Sequence, residues 1–269
     1  MKKLDHLEEI YSFYDCFIID LWGVMHDGVK PFENSLKAVE NLIANGKRVV
    51  FLSNAPRPSR DVINFLKIKL NIKKEFLSEL ITSGEAAFEA IQKEKFGKKF
   101  FHLGPNRDNS LYNGLEKNKT TIEDSDFILC TGLFDDKKDN LKYYQRLLSE
   151  HIKKKFICTN PDLTVHKGDR EEYCAGSVAK LFEEIGGKVI YFGKPHSFIY
   201  DMCLKKNEKT LVIGDNLRTD IKGANNFNLD SIFISSGVHR SEFNSEKDLI
   251  NLLQKYGVRS NFFQNRLVW

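Results

Sequence analysis

Short apolar runs alternate with amphipathic stretches along most of this chain. The runs at 16–20, 47–53, 100–103, 127–130, 156–159, 188–193, 210–215 and 231–235 are largely apolar, the pattern of strands covered on both faces. Between several of them the spacing turns helical. Leu36, Val39, Leu42 and Ile43 share one side of segment 33–45, and Gly46 stands where a glycine ends a helix. A second helix begins near Ser59 and Asp61 and carries Val62, Phe65 and Leu66; a third runs from Ser83-Gly84 through Ala90. Strands separated by helices of this length imply right-handed βαβ units and parallel sheets.

Four of the runs finish on groups able to do chemistry. Segment 16–20 closes on Asp20, and Gly23 and Gly28 let the chain fold back over that carboxylate. A carboxylate at the tip of a buried strand suits nucleophilic attack on phosphorus. Segment 47–53 ends in the Ser53 hydroxyl and the Asn54 amide, both suited to a phosphoryl group. Lys194 stands just past 188–193, and Asp215 and Asp220 follow the next run. Ligands of parallel sheets sit outside the carboxyl ends of the strands, so one shared site is geometrically coherent.

In this order the four segments resemble motifs I to IV of the haloacid dehalogenase (HAD) superfamily. The stretch 54–193 between Ser53 and Lys194 holds a complete α/β insertion, whereas 195–214 between Lys194 and Asp215 does not. That arrangement resembles class IIA, in which a C2-type cap interrupts the core between motifs II and III. The phrases Phe51-Leu-Ser-Asn-Ala-Pro-Arg57, Cys158-Thr-Asn-Pro-Asp162, Gly193-Lys-Pro-His196 and Gly214-Asp-Asn-Leu-Arg-Thr-Asp220 look like the same class. The resemblance implies an α/β fold, a Rossmann-like parallel-sheet core at 1–79 and 189–269 with an α/β cap at 80–188. It also implies Asp20 as nucleophile, Ser53 and Lys194 as catalytic and phosphoryl-binding groups, and a Mg²⁺ ion. The ion would be held by Asp20, the Trp22 main-chain carbonyl and Asp215, with Asp220 completing the shell or holding Lys194. Hard oxygen donors of this kind suit Mg²⁺.

Motif I departs from the phosphatase pattern Asp-x-Asp-Gly, because Trp22 stands in place of the second acid. In this the chain resembles a Trp-bearing subgroup of class IIA more than the sugar-phosphate or pyridoxal-phosphate phosphatases. The missing acid protonates the leaving oxygen and later activates water, help worth about 10²–10⁴-fold; an indole N–H cannot exchange a proton near neutral pH. His26, in the flap after motif I, is the candidate replacement because its side chain titrates in the useful range. Alternatively the substrate carries a good leaving group, or the site binds without turnover. In the cap, Asn160 and Asp162 are the candidate substrate contacts, although Asn-Pro-Asp is equally ordinary turn chemistry. Arg57 and Arg60 are candidates for an anionic tail or plain surface arginines.

Composition narrows the remainder. The chain of 269 residues is long enough for a core plus a cap, and its net charge of +4 leaves no basic stripe for nucleic acid. No apolar run reaches a membrane span, and acids near the N-terminus exclude a secretory signal, so a cytoplasmic protein is expected. The five cysteines, with no Cys-x-x-Cys pair, read as buried thiols; for Cys174, with Gly176 close behind, a nucleophilic role is the lesser alternative to packing. The expected partner is a small phosphorylated metabolite, with a homodimer open. Three functions compete: a Mg²⁺-dependent phosphomonoesterase working through an aspartyl-phosphate, a dehalogenase-like hydrolase of a non-phosphate bond, and a non-catalytic phosphometabolite-binding protein.

Overall fold

Cys16–Ile19, the strand that carries Asp20, lies inside a seven-stranded parallel sheet, with Thr210–Gly214 on one side and Arg48–Ser53 on the other. Beyond Arg48–Ser53 the sheet ends at Leu80–Thr82. Beyond Thr210–Gly214 it continues through Asp230–Ile234 and Phe262–Gln264 to Lys2–Lys3. This computed structural model describes residues 1–168 and 170–269. Successive side chains of the central strands bury on opposite faces: Phe17, Ile19, Phe51 and Ile213 pack into one layer, and Ile18, Val50, Leu52 and Val212 into the other. Both faces are therefore dry, which is why the strands read as unbroken apolar runs. Each large side chain so buried contributes about 1.5–3 kcal/mol.

The insertion has its own four-stranded parallel sheet, ordered Val189–Tyr191, Lys155–Cys158, Phe127–Cys130, Phe100–Leu103. Helices Ser83–Gln92 and Ala175–Glu184 cover opposite faces of it. An antiparallel hairpin, Thr164–Lys167 with Arg170–Tyr173, projects from this unit. Neither the hairpin nor the terminal strands Lys2–Lys3 and Phe262–Gln264 are among the elements that the sequence predicts.

Two strands at the expected domain boundaries each pair with the sheet on the other side. Leu80–Thr82, assigned to the cap by sequence, hydrogen-bonds the core sheet; Val189–Tyr191, assigned to the core, hydrogen-bonds the cap sheet. The crossings accordingly follow Thr82 and Tyr191, and they touch. A Cβ on Gly193 would stand 2.9 Å from Cβ of Ser83 and 2.6 Å from Oδ1 of Asn54, so only glycine admits the contact. Ser83 Oγ also donates to the carbonyl of Thr159, 2.5 Å away.

Candidate active site

Asp20, Ser53 and Asp215 stand at the carboxyl ends of three neighbouring parallel strands, as the sequence predicts. Lys194 arrives differently. It leaves the cap sheet after Val189–Tyr191 and is fastened to the core by Asn54, whose Oδ1 accepts from the Lys194 backbone N–H at 2.8 Å. The Asn54 Nδ2 also donates to the Lys194 carbonyl at 3.3 Å. Asn54 is thus largely occupied in holding Lys194, although it does border the cleft.

The Lys194 ammonium, almost fully buried, donates to Asp20 Oδ1 at 2.6 Å and to Asp220 Oδ1 at 2.7 Å. Asp215 is hemmed in by two glycines: a Cβ on Gly23 would lie 2.1 Å from its Oδ2, and one on Gly237 would lie 2.0 Å away. The Val238 N–H donates to the same oxygen at 2.8 Å. Asp20, Asp215 and Asp220 each offer an oxygen within 4.8 Å of the other two.

The electrostatics are unbalanced. Burial raises the pKa of Asp20 against the pull of Lys194, and burial together with Asp20 and Asp220 raises that of Asp215. Burial pushes Asp162 up to about 6. Burial also opposes charge on Lys194, yet the field of Asp20, Asp220 and Asp162 holds its pKa above the ordinary lysine value. Three buried acids and the half-buried Asp162 therefore gather about one ammonium. A hard divalent cation among Asp20, Asp215 and Asp220 is what this donor set fits, with one or two carboxylates completed by phosphate oxygens and water.

The remaining candidates separate. Ser53 borders the cleft, its Oγ accepting from the Ala55 N–H at 3.2 Å. Asn160 folds onto its own turn, Oδ1 accepting from the Asp162 N–H at 3.1 Å, and borders the cleft as well. Asp162 reaches from cap to core and accepts from Asn216 Nδ2 at 3.0 Å. His26 does not fit its proposed role. It is buried, its Nδ1 accepts from the Gly28 N–H at 3.0 Å, and burial lowers its pKa to about 4, so it stays neutral near pH 7. It shapes the motif I turn and does not border the cleft; its neighbour Asp27 does. Cys174 borders the cleft too, but burial holds its pKa well above the usual thiol range, leaving an inert thiol.

Trp22 spans the two units. Its Nε1 donates to the main-chain carbonyl of His166, 2.7 Å away in the cap hairpin. Its ring meets His26 edge-on at 5.1 Å and lies so close over Gly28 that a Cβ there would stand 2.4 Å from it. Asn216, Gly237, Val238 and His166 escaped the sequence reading. A signal for the glycine existed, since Gly237 lies just after the strand neighbouring Asp215's own.

Two family models match, one described as haloacid dehalogenase-like hydrolase over residues 17–116 and one as HAD-hydrolase-like over 191–251. Among curated proteins, the ribonucleotide monophosphatase NagD of Escherichia coli K12 is 29% identical over 230 residues, 82% of this chain and 87% of its own. The chloroplastic phosphoglycolate phosphatase 1A of Arabidopsis thaliana is 26% identical over 266 residues, covering 88% and 73%. A solved haloacid dehalogenase-like hydrolase from Brucella suis 1330 superposes with a TM-score of 0.86 at 28% identity, over 98% of this chain and 100% of that one. With Asp20, Ser53 and Asp215 bordering one cleft, Lys194 bonded to Asp20 behind it, and a capped parallel-sheet core around them, the chain belongs to the haloacid dehalogenase-like hydrolases, class IIA.

Proposed function

We propose that this enzyme is a Mg²⁺-dependent phosphatase of small phosphorylated metabolites, working through an aspartyl-phosphate on Asp20. The observation that carries the reading is the Asp20 carboxylate at a strand end, 2.6 Å from a buried ammonium and beside two further acids. Phosphatases among the relatives support it. An Asp20 oxygen attacks phosphorus, the P–O bond to the leaving group breaks, and that oxygen departs with the electron pair. Water then attacks the phosphorus of the aspartyl-phosphate, releasing inorganic phosphate and restoring the carboxylate. Lys194 holds Asp20 in position and faces the incoming phosphoryl charge, while Ser53 offers its hydroxyl to a phosphoryl oxygen. The metal, held by Asp20, Asp215, the Trp22 carbonyl and Asp220, would neutralise phosphoryl charge and orient the group. The domain division that follows is a core of 1–82 and 192–269 with a cap of 83–191.

The decisive test is a phosphatase screen with and without Mg²⁺, beside Asp20→Asn. The asparagine variant should lose about 10⁴-fold or more in kcat, since it removes the nucleophile itself. Rapid quench and mass spectrometry should find phosphate on Asp20 in the wild type. Metal-independent turnover that survives Asp20→Asn would end this reading.

A further inference from the structure

The space between core and cap is not one cleft but two cavities that share a wall. The inner one, so called for its place at the strand ends, is about 180 Å³ and is lined by Asp20, Ser53 and Asp215; the outer one, about 410 Å³, lies along the cap. Trp22, Pro56, Arg57, Asn160, Val165 and Cys174 border both. Trp22 is the largest of these, and it is held at both ends. Gly28 underlies its ring, and its N–H is bonded to the His166 carbonyl. Along the cap strand Thr164–Lys167, Thr164 and His166 border the inner cavity, Lys167 the outer and Val165 both, so the strand meets the indole where the two chambers adjoin. The inner volume falls below the ~300 Å³ at which pockets for drug-sized ligands begin.

We infer that Trp22 is a specificity-determining partition, confining substrates to phosphoryl compounds whose leaving group is compact enough to stay inside the inner cavity. This rests on the phosphatase reading above and extends it. The residue that replaces an acid thus supplies a wall and a tie to the cap, so the position acts by size exclusion instead of proton transfer. Trimming the ring should join the two cavities and admit a bulkier leaving group; keeping a ring without its N–H should preserve the wall while loosening the cap.

The experiment compares acetyl phosphate with benzoyl phosphate, two acyl phosphates that differ mainly in bulk, on the full chain with Mg²⁺. Trp22→Ala should shift the ratio of kcat/KM toward benzoyl phosphate by about tenfold or more, the scale at which pocket volume discriminates. Trp22→Phe should hold the wild-type ratio within about threefold and raise KM for both substrates. An unchanged ratio in Trp22→Ala overturns the inference. So that loss of turnover does not hide the answer, binding of methylphosphonate and benzylphosphonate is measured by calorimetry. A gain confined to benzylphosphonate in Trp22→Ala supports the partition, and equal changes for both overturn it. If Trp22→Ala does not fold, Trp22→Leu is read by the same criteria. Wild-type enzyme inert toward both acyl phosphates would sink the phosphatase reading, while the phosphonate comparison would still decide the partition.

Discussion

Asp220 accepts from the Lys194 ammonium at 2.7 Å through one oxygen and from the Asn216 N–H at 3.1 Å through the other. The cation beside Asp20 is therefore positioned by a carboxylate that is itself pinned to the backbone. The tie is short because a Cβ on Gly214 would lie 2.2 Å from Asp220 Cβ, so glycine at the strand end lets the helical turn close in.

Asp220→Asn keeps the hydrogen-bond geometry and removes one charge from beside Lys194. It should lower kcat by about 10–100-fold, the usual scale for losing a group that orients a catalytic or metal-binding one. Lys194→Met is the harsher change, since it strands the buried acids without their cation. Removing one partner of such a set typically costs about 3–5 kcal/mol, which denaturant unfolding of the metal-free protein would measure. If Lys194→Met were as stable as the wild type, the acids would not depend on that ammonium.

Gly237→Ala tests the seat of Asp215. The added methyl would start 2.0 Å from Oδ2 of Asp215, and Gly237 has no left-handed backbone to complicate the result. The carboxylate must move, and Mg²⁺ affinity by calorimetry should drop by about 10–100-fold with the fold retained. Wild-type affinity in this variant would place the ion elsewhere.

The replaced acid leaves a kinetic signature. With Trp22 bonded to His166 and His26 turned away, neither offers a proton to the departing oxygen. Activity should then fall steeply as the leaving group becomes more basic. Acetyl phosphate should exceed the similarly compact ethyl phosphate in kcat by about 10²-fold or more. A flat comparison would mean that another cleft residue donates the proton, with Asp162 the first to mutate.

Acid sensitivity should come from buried imidazoles. Burial lowers both His26 and His102 to about 4. In the unfolded chain each takes a proton near pH 6.5, so their contribution is intact above about pH 6.5 and is lost as pH falls toward 4. For His26 the loss amounts to about 3 kcal/mol by pH 4. Urea melts across this range should flatten in His102→Gln, whose amide can still reach the Thr131 hydroxyl that the imidazole meets at 2.9 Å. A slope identical to wild type would assign the acid sensitivity to other groups.

In the candidate site, the placements legible in the sequence are those at strand tips. Asp20, Ser53 and Asp215 could be read because a strand dry on both faces is a continuous apolar run, and its end is marked by the first polar residue. Sheet membership is not a local property. Val-Ile-Tyr at 189–191 reads equally well in either sheet, and only the parallel register with Phe156–Cys158 decides it. The cap hairpin was invisible for the opposite reason: Thr-Val-His-Lys and Arg-Glu-Glu-Tyr are mostly polar and present no buried face. His26 was misjudged because its usefulness depended on exposure, and packing against Trp22 and Phe65 removed it from solvent.

The meeting of Ser83, Gly193 and Asn54 constrains how this enzyme can open. Both covalent links between the units pass through one point, and Asn54 grips the chain immediately after Gly193 from the core side. A rotation of the cap would swing about that point, as a lever about a pinned fulcrum. The charged end of Lys194 sits on the stationary side of the pin. Were the cap to travel in this way, the nucleophile would keep its counter-ion, and substrate entry and product exit would not disturb the charge arrangement that cleavage requires.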